Sequence, residues 1–272
     1  MQHHTSDPWH SLMTRTGRTA QLWIVEWWQM VHLGALIMVL ALSPSSYSQG
    51  NRAVFSRPIY LNTAPILLGF SVLCALVTVV ITSIVVVTAQ SYGLSQYALQ
   101  VVIRVLVLEL IPLTAALFVA LRCTIPDGAE LGAMQASGEL DEMRRHGVEP
   151  VRQEVLPRVV AGMFSGITLA ALSCVVALVV AYIAVYGFAV SGLAGYTRLF
   201  GQVFSPAVTI IFVLKTVLFS LAVSLIPMAS ALYGIGDMQG QGVRTSAEMR
   251  GLVRMFAVIL LIEVASLVGN YY

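Results

Sequence analysis

The sequence predicts an all-α polytopic membrane protein, and three observations carry that reading. Hydrophobic residues make up 58% of the 272 residues and charged residues only 10%, with a mean hydropathy of +0.84. A soluble domain carries about 25% charged residues, so this chain is too poor in charge to cover a water-facing surface. Five apolar stretches each reach the roughly 20 residues that a bilayer-crossing helix needs. They are unbroken, unlike the ten-residue alternations of a barrel strand. A soluble enzyme, a nucleic-acid-binding module and a disordered protein are thereby excluded. The net charge of +2 gives no reason to expect a polyanion partner.

The elements follow in chain order. Leu22 to Leu42 is apolar apart from Glu26, Gln29 and His32, and its cluster of Trp23, Trp27 and Trp28 suits a helix lying in the membrane surface. A sixth span is disfavoured because it would put Arg15 and Arg18 on the opposite side from Arg52 and Arg57. A cleaved signal peptide ending near Ser43 would need an atypically long leader. Ser43–Arg57 then reads as a polar connector, and residues 1–63 as an N-terminal interfacial segment before a five-helix membrane unit over 64–272. The spans are Ala64–Ala89, Tyr97–Leu121, Val159–Gly187, Val203–Leu232 and Gly251–Gly269.

Arginine sets the direction. Short cytoplasmic loops are rich in Arg and Lys. The loop after the second span holds Arg122, Arg144, Arg145, Arg152 and Arg158, and the one after the fourth holds Arg244 and Arg250. Gln90–Gln96 has none, and Phe188–Gln202 has only Arg198. The N-terminus is therefore expected in the cytoplasm and the C-terminus outside.

Charges inside spans are the sharpest functional signal, because each costs about 2.5–3.5 kcal/mol at mid-bilayer unless it faces protein, water or a ligand. Glu109, Lys215 and Glu263 lie at similar expected depth near the span centres. They read either as an ion pair tying the second and fourth spans together, as the lining of a substrate cavity, or as a proton relay. Arg104 precedes Glu109 by five residues, about 140° around an α-helix, which puts the two on different faces. Pro112 withholds a hydrogen bond from the Leu108 carbonyl and is expected to kink the second span.

Arg122–Arg158 is the one sizeable cytoplasmic loop. Asp127-x-x-Glu130 has the spacing of a capping box, and a helix over Gly128–His146 is expected, ended by Gly147. Ala129, Ala133, Ala136, Leu140 and Met143 form one small apolar stripe, with Leu131 and Met134 on the opposite side. Two apolar faces suggest two contacts, the membrane domain and a soluble subunit. The run Gly234-x-Gly236-x-x-x-Gly240-x-Gly242 fits no dinucleotide fingerprint and reads as a flexible turn. The only Lys lies in a span, so no phosphate-binding Walker motif is present. Cys74, Cys123 and Cys174 have no metal spacing and read as small buried hydrophobes. No catalytic set and no internal repeat are visible.

Leu108 to Gly162 resembles the MlaE/YrbE permease family, the membrane subunits of lipid-transporting ABC systems that work with MCE proteins. The match rests on Glu109 with Pro112, Arg122, Glu130–Leu131–Gly132, Met134, Leu140, Met143, Glu149–Pro150 and Pro157–Arg158. Leu214–Lys215–Thr216 and Gly242–Ser246 add weaker matches, and the resemblance extends over about Ala64 to Gly269. Leu108 stands where the family often has Arg, and Ile111 where it has Gly.

The resemblance implies an interfacial helix, five spans and a cytoplasmic coupling helix over about 128–146. It implies a second permease copy or a paralogue, a cytoplasmic ABC ATPase dimer that binds the ATP, and a periplasmic MCE protein. The setting would be a bacterial inner membrane, with the C-terminus periplasmic. Phospholipid would enter a cavity near Glu109, Lys215, Arg104, Glu263 and Pro112. Glu130, Leu131, Met134, Leu140, Met143, Arg144 and Arg145 would couple to the ATPase. From the residues alone, an ion- or proton-coupled carrier and a non-transporting scaffold stay open.

Overall fold

The computed structural model describes residues 25, 27–41, 52–233 and 241–271, and the regular elements among them are all helical. They are α1 (Trp27–Ala41), α2 (Arg52–Ser91), α3 (Ser95–Val102), α4 (Ile111–Val119), α5 (Ile125–Ser137), α6 (Glu139–Arg145), α7 (Leu156–Tyr186), α8 (Leu193–Val203), α9 (Pro206–Tyr233) and α10 (Gln241–Tyr271). Three π-helical segments, π1 (Ile103–Leu110), π2 (Ala120–Thr124) and π3 (Val151–Val155), join some of them without a break. Five runs are long and apolar enough to cross a membrane: Thr63–Ser91, Tyr97–Ser137, Val151–Tyr186, Pro206–Tyr233 and Met249–Asn270. These are the five spans expected from the sequence.

Several boundaries differ. The division expected between residues 63 and 64, and the end of the connector at Arg57, both fall inside α2, which starts at Arg52. Helix α10 starts at Gln241 and takes in Gly242, so the expected turn loses its last glycine to a helix. Residues 234–240 lie outside the described residues, as do Arg15, Arg18, Leu22, Trp23 and Glu26. The stretch 188–202, read as a loop, holds α8; its Tyr196 hydroxyl donates to the Leu178 carbonyl at 2.7 Å. Burial pushes the Tyr196 phenol up to about 12.

The described residues of α1, 27–41, rise about 22 Å, against a hydrocarbon core of about 30 Å. Met30, Leu33 and Ile37, at helical spacing, are buried against the body of the protein, while Trp28 is 74% exposed and Val31 and Val39 are open as well. Apolar residues thus point both inward and outward.

Each π segment is followed, two residues on, by a proline: Pro112, Pro126 and Pro157. Proline has no N–H and its ring crowds the carbonyl four residues back. Widening the turn before it to i→i+5 bonding keeps the neighbouring donors paired. The Ile111 N–H donates to the Leu106 carbonyl, Ile125 to Ala120, and Leu156 to Val151. The prolines therefore do not cut the chain into separate helices. The second span runs on from Tyr97 to Ser137, 41 residues.

The side chains pack in two apolar clusters. One, with Phe70, Ile103, Val107, Leu169 and Tyr196, lies between α2, α3, π1, α7 and α8. The other, with Leu33, Leu131, Leu140, Leu156, Phe219 and Met255, joins α1, α5 and α6 to α7, α9 and α10. Helices α7 and α9 meet through small residues. A Cβ at Gly162 would sit 2.6 Å from Ser224 Oγ, and one at Gly166 would sit 2.6 Å from Ser220 Oγ. In lipid no hydrophobic drive separates helices from solvent, so such close backbone approach supplies much of the association. Gly251 against Ser230 repeats the device between α10 and α9, and a Cβ at Gly128 would sit 3.2 Å from the Pro227 backbone. All three cysteines are buried free thiols, as expected of small apolar residues.

Candidate functional site

The structure brings Glu109, Lys215 and Glu263 together. Glu109 comes from π1, Lys215 from α9 and Glu263 from α10. Lys215 Nζ contacts Glu109 Oε2 and lies 2.8 Å from Glu263 Oε2. It also faces the Leu108 carbonyl at 3.5 Å. Pro112 has no N–H for that carbonyl, so the bond missing from the helix is taken up by the lysine. Phe219, one turn further along α9, places its ring centroid 5.6 Å from Nζ.

Burial makes these contacts matter. The Lys215 side chain is 1% exposed, Glu109 10% and Glu263 15%. An unpaired charge here would be strongly destabilising, because removing one partner of a buried pair costs about 3–5 kcal/mol. The formal sum of one lysine and two glutamates is −1. The cluster lies well inside the fourth and fifth apolar runs. Lys215 follows Pro206, the start of α9, by nine residues, about 14 Å of rise, and Glu263 precedes Asn270 by seven, about 10 Å. It lies nearer the face that carries the end of α10.

One contributor escaped the sequence reading. Asn270 Nδ2 donates to Glu109 Oε1 at 3.2 Å. Ser266 is 7% exposed and, like Glu263 and Asn270, recurs at helical spacing. The signal was available: positions 263, 266 and 270 form one stripe.

Arg104 needs a correction. On an α-helix it would face away from Glu109, but both lie in π1. Bonding of i to i+5 stacks residues five apart much as an α-helix stacks residues four apart. Arg104 and Glu109 therefore sit on nearly the same side of the second span.

The expected single helix over Gly128–His146 is two helices. Gly138 adopts φ +80° and separates α5 from α6. The expected capping box at Asp127 is not a helix start, because π2 feeds straight into α5. The two opposed apolar faces are also corrected. Leu131 and Leu140 are both fully buried, and Met134 and Met143 pack against the same core. The broken helix lets all four turn inward, leaving Ala129, Ala133, Ala136, Glu130, Arg144 and Arg145 on the exposed side. Arg144 pairs with Asp141 at 2.7 Å at the surface, an interaction worth little. Arg158, which the sequence reading did not place among the site residues, clamps this region. Its guanidinium meets Glu154 at 3.1 Å and Glu130 at 3.5 Å, and its N–H groups approach Met134 Sδ at 3.9 Å.

Among the described residues no cluster of His, Cys, Asp or Glu could hold a metal ion. Apolar spans enclosing a buried ion network, with a two-helix element at one end, describe a multi-pass membrane protein. A family model for permease MlaE matches residues 55–268, most of the chain. The chain belongs to the MlaE permease family. It is also 24% identical over 233 residues to a Rickettsia prowazekii (strain Madrid E) protein named "Probable ABC transporter permease protein", covering 82% of this chain and 86% of that one. ABC permeases of this kind work with an ATPase partner.

Proposed function

We propose that this chain is the membrane subunit of an ABC transporter that moves phospholipid between the inner membrane and a periplasmic MCE-type partner, driven by a separate ATPase. The observation that carries the reading is the Lys215–Glu109–Glu263–Asn270 network, a polar site held at bilayer depth between three spans. Intramembrane ionisable groups mark substrate pathways by default. Here the charges would hold the headgroup, with Arg104 on the same side of π1, while apolar span faces hold the acyl chains.

In this reading the N-terminus is cytoplasmic and the C-terminus periplasmic, so the network lies in the outer half of the membrane. Helices α5 and α6 form the coupling element, and the ATPase meets Glu130, Arg144, Arg145 and the alanines between. Leu131, Met134, Leu140 and Met143 serve from behind by fixing that element to α7 and α9. A second permease copy or a paralogue completes the cavity. An ion- or proton-coupled carrier would need no ATPase and finds less support, given the family.

The test is lipid transfer by the assembled complex. Glu109→Gln keeps size and one hydrogen-bond acceptor, so the complex should assemble while transfer falls at least about tenfold, equivalent to about 1.4 kcal/mol. Unchanged transfer would remove the network from the mechanism. Native mass spectrometry of the purified complex should show bound ATPase and phospholipid.

A further inference from the structure

Resting on the lipid reading above, we propose that the Lys215–Glu109–Glu263 network receives the primary ammonium group of an aminophospholipid headgroup rather than its phosphate. The argument is a count of donors and acceptors. An ammonium has three N–H donors. Lys215 Nζ donates to Glu109 Oε2 and the Leu108 carbonyl, and Glu263 Oε2 sits 2.8 Å away as an ion-pair partner. The lysine, 1% exposed, is enclosed by these three oxygens, which leave no room beside it for a phosphate oxygen.

Acceptors, by contrast, are in surplus. Glu109 Oε1 takes a hydrogen bond from Asn270 Nδ2. The other amide atom, Asn270 Oδ1, is buried with no hydrogen-bond partner, and Glu263 Oε2 accepts no hydrogen bond either. Asn270 Oδ1 belongs to the amide that touches Glu109, so it lies beside the network by covalent geometry alone. Buried acceptors without a donor are costly and call for one.

Charge points the same way. The network carries a formal −1 before any ligand arrives. A phosphodiester would raise that to −2 in a medium of low dielectric, whereas a second ammonium brings it to zero. A quaternary ammonium matches the charge but brings no N–H for the waiting acceptors. The headgroup chemistry that satisfies both is a primary amine.

The full chain would be reconstituted in nanodiscs holding equal amounts of phosphatidylethanolamine, phosphatidylcholine and phosphatidylglycerol, re-extracted in detergent, and its retained lipids quantified. Phosphatidylethanolamine should be enriched at least fivefold over each of the others. Glu263→Gln, which brings the formal charge of the network to zero, should bring the ratios within twofold of the input. Retention of phosphatidylglycerol or phosphatidylcholine at the level of phosphatidylethanolamine overturns the proposal and leaves lipid transport standing. Retention of no phospholipid overturns both. Should Glu263→Gln not fold, the ratios retained by the parent chain decide the matter alone.

Discussion

Removing the cation from the buried network is the most direct way to weigh it. Lys215→Met keeps an unbranched side chain of similar length and takes away the charge. Glu109 and Glu263, 10% and 15% exposed, then face each other without their partner. Breaking a buried pair from one side costs about 3–5 kcal/mol, and at about 1.4 kcal/mol per tenfold this lowers the folded-to-unfolded ratio by roughly 10² to 10⁴. The Leu108 carbonyl also loses its donor, which favours the upper part of that range. The assay is unfolding by SDS in mixed micelles, followed by tryptophan fluorescence and helical circular dichroism. The triple variant Lys215→Met/Glu109→Gln/Glu263→Gln has no charge left to strand, and replacing a buried ion group by neutral residues is often close to neutral. It should recover most of the loss. A cost below about 1 kcal/mol for the single variant, or a triple variant no more stable than the single, would refute the reasoning.

Four further outcomes are expected. Gly166→Val places its Cβ 2.6 Å from Ser220 Oγ and should cost about 1–3 kcal/mol in the same titration, whereas Gly69→Ala, with nothing within 4 Å of its new methyl, should leave the midpoint nearly unchanged. Gly138→Ala forces a side chain into φ +80° at about 1–2 kcal/mol and should hasten protease cutting between α5 and α6. Arg158→Ala releases Glu130 and Glu154 and should lower the lipid moved per ATP hydrolysed severalfold, read on the assembled complex, while the spans stay folded. Tyr196 contributes with a definite sign. Its phenol is held at about 12 in the folded chain and ionises near 10 when unfolded; its stabilisation is therefore full below about pH 10 and lost as pH rises towards 12. Tyr196→Phe should remove that alkaline slope in unfolding curves.

The spans were legible because hydropathy is a one-dimensional property and bilayer thickness sets its length scale. Glu109, Lys215 and Glu263 were legible as a set because charge in lipid is too costly to leave unmatched. What escaped depended on helix rotation. Assuming an α-helical turn for Arg104–Glu109 put those residues on different faces, and the i→i+5 bonding of π1 turns them to nearly the same side. The cue lay in Pro112, before which the turn widens. Leu131, Met134, Leu140 and Met143 were misread for a related reason. A stripe drawn over a continuous helix ignores the phase change at Gly138, a residue whose freedom at positive φ the sequence did announce. Asn270 was passed over because it carries no charge and lies one residue past the expected end of the fifth span, although it is seven residues, two helical turns, beyond Glu263.

No loop interrupts the backbone between Ser95 and Ser137. Gly128, wedged against Pro227, and Glu109, bonded to Lys215, are thus mounted on one shaft. A push delivered at α5 has no slack to vanish into, and π2 is the intervening joint at which it can be converted into twist. Work done at one end of this strut and grip at the other are geared through the peptide chain itself.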